Sequence, residues 1–152
     1  MIQFKILPFK ELSNVEVYES LRLRSEVFVV EQKCPYLDAD GKDLDAFHVL
    51  GYVEDKIVAY ARLLAVGVSY NYPSIGRVVV AANYRSFGYG HDLIDTAMEH
   101  CKKLYGDLPI KISAQLYLEK FYKAHGFETI SEPYLEDDIP HIAMISKANQ
   151  LA

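Results

Sequence analysis

Residues 85–90, Arg85-Ser86-Phe87-Gly88-Tyr89-Gly90, lie between a β-branched run and a long amphipathic stretch that starts at once. Such a bend can hold a phosphate. The N–H groups of a bend and of the first helical turn have no partner inside the helix, and they carry the positive end of its dipole. Gly88 and Gly90 let the backbone approach an anion and take φ values denied to other residues. Arg85 adds a cationic fork suited to phosphate oxygens. A dinucleotide loop would need a third glycine where this chain has Leu93. No G-x-x-x-x-G-K-[ST] occurs, which removes a P-loop, and no G-x-S-x-G, which removes the usual hydrolase elbow.

Other chemistry-bearing residues point to less. Asp38-Ala39-Asp40-Gly41-Lys42-Asp43-Leu44-Asp45 invites a calcium reading, but an EF-hand loop needs glycine at its sixth position and glutamate at its twelfth. Here Gly41 is the fourth residue and Val49 the twelfth, so a solvated acidic loop is expected. His91 and His100 fall on different helix faces, and no metal site is expected. Cys101 sits in an apolar stripe as an inert thiol, while Cys34 in its loop is expected to be free and partly exposed.

At 152 residues and 51% apolar, residues 1–152 fit a single domain with a sizeable core. A net charge of −5 argues against a nucleic-acid surface. No segment approaches the roughly 18 to 20 apolar residues of a membrane span, and the N-terminus lacks the order of a signal peptide. Two unpaired cysteines add to the expectation of a cytoplasmic protein with neither membrane nor nucleic acid as partner.

The elements that must position the bend follow from pattern. Residues 2–7 are a strand. Ser13 and Glu16 form a capping box for a helix whose inward face is Tyr18, Leu21, Ser25 and Phe28, with residues 27–30 a candidate extended stretch before Pro35. Residues 47–53 and 57–64 form a hairpin, with Phe47, Val49 and Val53 on one face and His48, Leu50 and Tyr52 on the other. Residues 75–81 are an apolar strand suited to burial on both faces. A helix from about Gly88 to Tyr105 follows, its stripe made by Leu93, Ile94, Ala97, Met98, Cys101 and Leu104. A strand at 110–114, a two-turn helix at 117–124 closed by Gly126, and strands at 127–130 and 139–146 around the loop 131–138 complete an α/β domain with a mixed sheet.

The bend matches the Arg/Gln-x-x-Gly-x-Gly/Ala loop of the GNAT superfamily of acyl-CoA-dependent N-acetyltransferases, and it lies between the fourth strand and the next helix, as there. Phe121-Tyr122-Lys123-Ala124-His125-Gly126-Phe127 resembles the family's second landmark, Tyr-x-x-x-Gly-Phe. Three stretches resemble the ElaA-like branch: residues 27–36, from Val27 through Glu31 and Cys34 to Tyr36; residues 75–80; and residues 134–141. The resemblance covers nearly the whole chain. It implies an α+β fold with a mostly antiparallel sheet, helices on both faces, and fourth and fifth strands splayed apart.

By the same resemblance the phosphate belongs to acetyl-CoA, held by Arg85, Ser86, Phe87, Gly88, Tyr89 and Gly90. The backbones of Val78 and Val80 would pair with the pantetheine amides, and an N–H of Val79 or Val80 would polarise the thioester carbonyl. Tyr122 takes the place of the acid that protonates the departing thiolate. A free alkylamine has a pKa near about 10, so a base must strip its proton at neutral pH. His48, His141 and Glu31 remain alternatives for it. Arg77 is a candidate for a substrate carboxylate or, equally, an ion pair with an acid such as Glu136. The implied activity is acetyl transfer to a primary amine, in a chain that pairs as a homodimer. The alternative is an acyl-CoA-binding regulatory module without turnover.

Overall fold

A computed structural model describes residues 1–147. β1 (Gln3–Pro8), β2 (Phe47–Val53), β3 (Lys56–Leu64) and β4 (Ser74–Val80) form an antiparallel ladder. β5 (Lys111–Gln115), β6 (Phe127–Thr129), β7 (Tyr134–Glu136) and β8 (Ile139–Ser146) complete an eight-stranded sheet of order β1-β2-β3-β4-β5-β8-β6, with β7 also paired to β8. The antiparallel halves meet at one parallel pair, Ser74↔Lys111, where Lys111 N–H donates to Pro73 O at 3.0 Å. Past it β4 and β5 part, as the splayed-strand expectation required.

A bulge helps them part. Tyr60 pairs with Val79 but Arg62 with Gly76, so Arg77 and Val78 together face Ala61. The extra residue bends the strand. Arg77 takes a φ of 51°, a left-handed value uncommon for a residue with a β-carbon. From residue 75 to 80 the side of β4 turned toward β5 has no strand partner among the described residues.

α1 (Asn14–Arg24) covers one face of the sheet, with Leu23 packing on Leu50, Tyr60 and Val79. α2 (Tyr89–Tyr105) covers the other, where Leu93, Ile94, Ala97 and Cys101 meet Val49, Ala61, Leu63 and Ile75. The alternation along β2 follows its pattern: Phe47 and Val49 join the α2-side core, and Leu50 and Tyr52 the α1 side. α3 (Glu119–Lys123) follows a turn of 3-10 helix at Leu116–Leu118 and ends before Gly126, whose φ of 90° fits the expected left-handed cap. Among the described residues no helix is long and apolar enough to cross a membrane.

Four expectations change. The capping box forms, Glu16 N–H donating to Ser13 Oγ at 3.0 Å and Ser13 N–H to Glu16 Oε1 at 2.9 Å. The inward face is nevertheless Glu16, Ser20, Leu23 and Arg24, while Tyr18 is 66% exposed. Apolar spacing cannot reveal a face built on buried charges, and Glu16 is held by Lys5 and Tyr52 from the sheet. Residues 25–31 are not extended but form a π-helical segment, Ser25–Glu31. β4 is buried only at Ser74, Ile75 and Val79, because Val78 and Val80 border a cleft. Finally, the loop 131–138 contains β7, turned into β8 by Asp137 and Asp138 at φ values of 51° and 61°. Aspartate tolerates that conformation better than most residues.

Candidate active site

The gap between β4 and β5 opens into a cleft of about 460 Å³. Val78 and Val80 on β4 and Ser113 and Gln115 on β5 line its two sides. The π-helical segment, the start of α2, α3 and the β7–β8 turn close around it. At one end, Gln32 and Gln115 exchange amide hydrogen bonds at 3.1 Å in each direction.

Residues 82–87 form a 3-10 turn that leads into Gly88, whose φ of 76° only glycine adopts freely. Gly88 is also the N-cap of α2 and has no side chain, so no capping side chain consumes the first-turn N–H groups. Arg85 and Gly90 line the cleft, whereas Ser86, Phe87 and Gly88 lie exposed at its mouth with Tyr89 half-buried beside them. Arg85 Nε donates to Val80 O at 2.9 Å, so that carbonyl is already engaged. Its two terminal nitrogens meet Glu31 across the cleft at 2.7 and 3.0 Å. Val79 points into the α1-side core. An open strand edge, an uncapped helix start and an arginine together fit an extended chain that ends in phosphates.

Tyr122 is 5% exposed, and its ring meets Phe121 and Phe127 edge-on at 5.1 and 5.8 Å between centroids. Burial, with a smaller push from Tyr117, raises its phenol well above the ordinary value, which keeps it protonated. It lines the cleft, and no hydrogen bond among the described residues uses its hydroxyl.

The base candidates separate. His48 is 2% exposed and lies outside the cleft lining: Nε2–H donates to Asp43 O at 2.9 Å, and Nδ1 accepts from the Tyr60 hydroxyl at 2.6 Å. Burial lowers its pKa against an upward pull from Asp43, and Arg24 and Arg62 add smaller pushes downward. Glu31 lines the cleft with both oxygens on Arg85. His141 lines it with a nitrogen to spare. Its Nδ1–H donates to Ile139 O at 2.7 Å, which leaves the Nε2 lone pair facing inward, 3.5 Å from Glu136 Oε2.

Arg77 is tied down, and not by Glu136. Its Nε lies 2.9 Å from Asp38 Oδ1, Nη2 donates to Asp38 O at 3.1 Å, and the guanidinium lies over the Tyr36 ring at 5.5 Å. Arg24 and Arg62, buried under the same loop, hold Asp38, Asp40 and Asp43 at 2.8 to 3.0 Å. The contacts of Arg24 Nε and Arg77 Nε with Asp38 are ion pairs off hydrogen-bond alignment. The acidic loop is therefore not simply solvated; Asp38, Asp40 and Asp43 neutralise three arginines, of which Arg77 lines the cleft. Cys34 is buried as well, 6% exposed, its thiol donating to Asp137 O at 3.1 Å. Sequence reasoning also missed Ser113 on β5, Glu136 on β7 as a site residue, and Asp137 in the turn; what makes them cleft residues is how the strands part and pair, which periodicity does not report.

The acetyltransferase (GNAT) domain family matches residues 14–148. Protein ElaA of Escherichia coli is 42% identical over 152 residues, covering 99% of each chain. The crystal structure of Escherichia coli ElaA has a TM-score of 0.91, covering 97% of this chain and 100% of its own. An acyl-CoA N-acyltransferase from Pseudomonas aeruginosa also superposes with a TM-score of 0.91, at 40% identity over 96% of this chain and 99% of its own. By sequence and by fold, this chain belongs to the GNAT family, whose members move an acyl group from coenzyme A to an acceptor amine.

Proposed function

We propose that the cleft transfers an acetyl group from acetyl-CoA directly to a primary amine, with His141 as base and Tyr122 as acid. One observation carries this reading. Two proton-transfer groups without another task, His141 Nε2 and the Tyr122 hydroxyl, face the same cleft beside an open strand edge and an uncapped helix start. A regulatory binder would need neither.

The N–H groups at residues 88–90 and, once released from Glu31, the Arg85 guanidinium hold the pyrophosphate. The open edge of β4 orients the pantetheine arm, and the N–H of Val80, which the register turns away from β3, polarises the thioester carbonyl. His141 Nε2 removes a proton from the bound ammonium. The freed nitrogen pair attacks the carbonyl carbon, the carbon–sulfur bond breaks, Tyr122 passes its proton to the leaving sulfur, and the second proton that the acylated nitrogen sheds restores the Tyr122 hydroxyl. Acetyl is the acyl group named in the description of the matching family. A cytoplasmic site suits both the cosubstrate and two thiols without a disulfide.

Thiol release from acetyl-CoA over a panel of amines tests the reading. Release above the hydrolysis blank, reduced about a hundredfold in His141→Gln, is the expected result. Absence of release with every amine, or a melting temperature unmoved by millimolar-range acetyl-CoA, would overturn it.

A further inference from the structure

The charges around the acceptor end of the cleft identify the class of amine it takes. Arg77 and Arg85 are the lining arginines, and each is engaged inside the protein, Arg77 with Asp38 and Asp40, Arg85 with Glu31. Glu31, Glu136 and Asp137 line the same cleft. Arg85 pairs with the first until a phosphate takes its fork. Among the described residues, no lysine or arginine lies within ion-pair distance of the other two. Lys111, which alternation places on the same face of β5 as Ser113, sits over the Tyr70 ring, 4.5 Å from its centroid.

Glu136 is aimed rather than loose. Its Oε1 accepts from the Ser113 hydroxyl at 3.0 Å, and that hydroxyl also bonds with Tyr134. Its Oε2 faces His141 Nε2 at 3.5 Å. The His141 side chain is only 9% exposed, and its Nδ1–H is committed to Ile139 O. Nε2 and Oε2 thus border one spot on the cleft wall, 3.5 Å apart. A primary ammonium placed there can serve both, because its three N–H groups suit two acceptors at once when Nε2 carries no proton. Asp137 follows at the tip of the β7–β8 turn. Its carbonyl takes the Cys34 thiol, while its carboxylate has no hydrogen bond or ion pair among the described residues. Burial, then the charges of Asp137 and Asp138, push that thiol upward.

We propose that the acceptor is a small alkyl diamine or polyamine. Its reacting amine docks between His141 Nε2 and Glu136 Oε2, and a second ammonium a few carbons away is held by Asp137. The fate of the first amine rests on the transfer reading above; recognition of the second does not. Amines bearing a carboxylate are disfavoured, since the lining arginines are already paired.

The test uses three amines of matched length: putrescine, butylamine and γ-aminobutyrate. Each is assayed for thiol release and, separately, titrated calorimetrically into the protein loaded with coenzyme A. The expected order of kcat/KM and of affinity is putrescine, butylamine, γ-aminobutyrate, with steps of about tenfold. In Asp137→Asn the preference for putrescine over butylamine falls to within about twofold. Equal use of putrescine and butylamine, preference for γ-aminobutyrate, or a preference untouched by Asp137→Asn would overturn the proposal. Transfer to lysine in a basic peptide with none to putrescine would overturn it too. Tight, Asp137-dependent binding of putrescine without thiol release from any amine would sustain it while removing the transfer reading.

Discussion

Replacing Glu31 with glutamine should tighten acetyl-CoA binding. Glu31 grips Arg85 through two hydrogen bonds at 2.7 and 3.0 Å, and a phosphate that takes the same fork must displace it. Both side chains are 42% exposed, so solvent screens the pair, and its worth is about 0.5 to 1 kcal/mol rather than the several expected in a dry interior. Removing the competing charge converts that difference into affinity, about two- to fivefold. The gain should shrink in roughly 0.5 M salt, where exposed charges are screened within a few ångströms. Titration calorimetry gives the dissociation constant, and thiol release at saturating acetyl-CoA gives kcat. The competing assignment has a different signature, because loss of a catalytic base would lower kcat by about a hundredfold or more. Weaker binding in the variant, or a fall in kcat of that size, would refute the reasoning.

Tyr122→Phe keeps the edge-on packing against Phe121 and Phe127 and deletes a hydroxyl that bonds no described residue. The melting temperature should hold while kcat falls about a hundredfold at unchanged acetyl-CoA affinity; wild-type turnover in the variant would remove the acid role. Because burial lowers the His48 pKa, the unfolded chain takes a proton there that the folded one refuses. Its stabilising contribution is therefore complete above the unfolded value of about 6.5 and is lost as pH falls toward the folded one, at up to about 1.4 kcal/mol per pH unit. Urea midpoints between about pH 7.5 and 5.5 measure the slope, and His48→Gln should flatten it; an unchanged slope in that variant would refute the assignment. Arg24→Leu takes one cation from Asp38 and Asp43, which keep Arg77 and Arg62, and should cost about 1.5 to 3 kcal/mol of unfolding free energy. A loss below about 1 kcal/mol would show that the network adds little.

The glycine bend, α2 and the alternation of β2 were legible because each depends on neighbours close along the chain. Gly88 has no β-carbon to clash at φ 76°, and the α2 stripe repeats at helical spacing over 17 residues. The inward face of α1 was not legible, since Glu16 and Arg24 are buried by partners that the helix does not contain. β7 escaped for a related reason. It is three exposed residues long, and its pairing with β8 rather than its composition makes it a strand.

The same division holds for the site. Spacing alone determined that a glycine bend precedes a helix, because backbone sterics and the dipole act within a turn or two. It determined which residue types could move protons, but not which of them are free to do so. His48, Glu31 and His141 have suitable side chains, yet two have their polar atoms engaged, and only the fold brings the engaging partners near. Glu31 meets Arg85 across 54 positions, and Cys34 meets the β7–β8 turn across 103. Contacts at such separations depend on how β4 leaves β5 and on what covers the gap. A one-residue bulge and a strap of paired charges settle that, and neither leaves a local trace in the sequence.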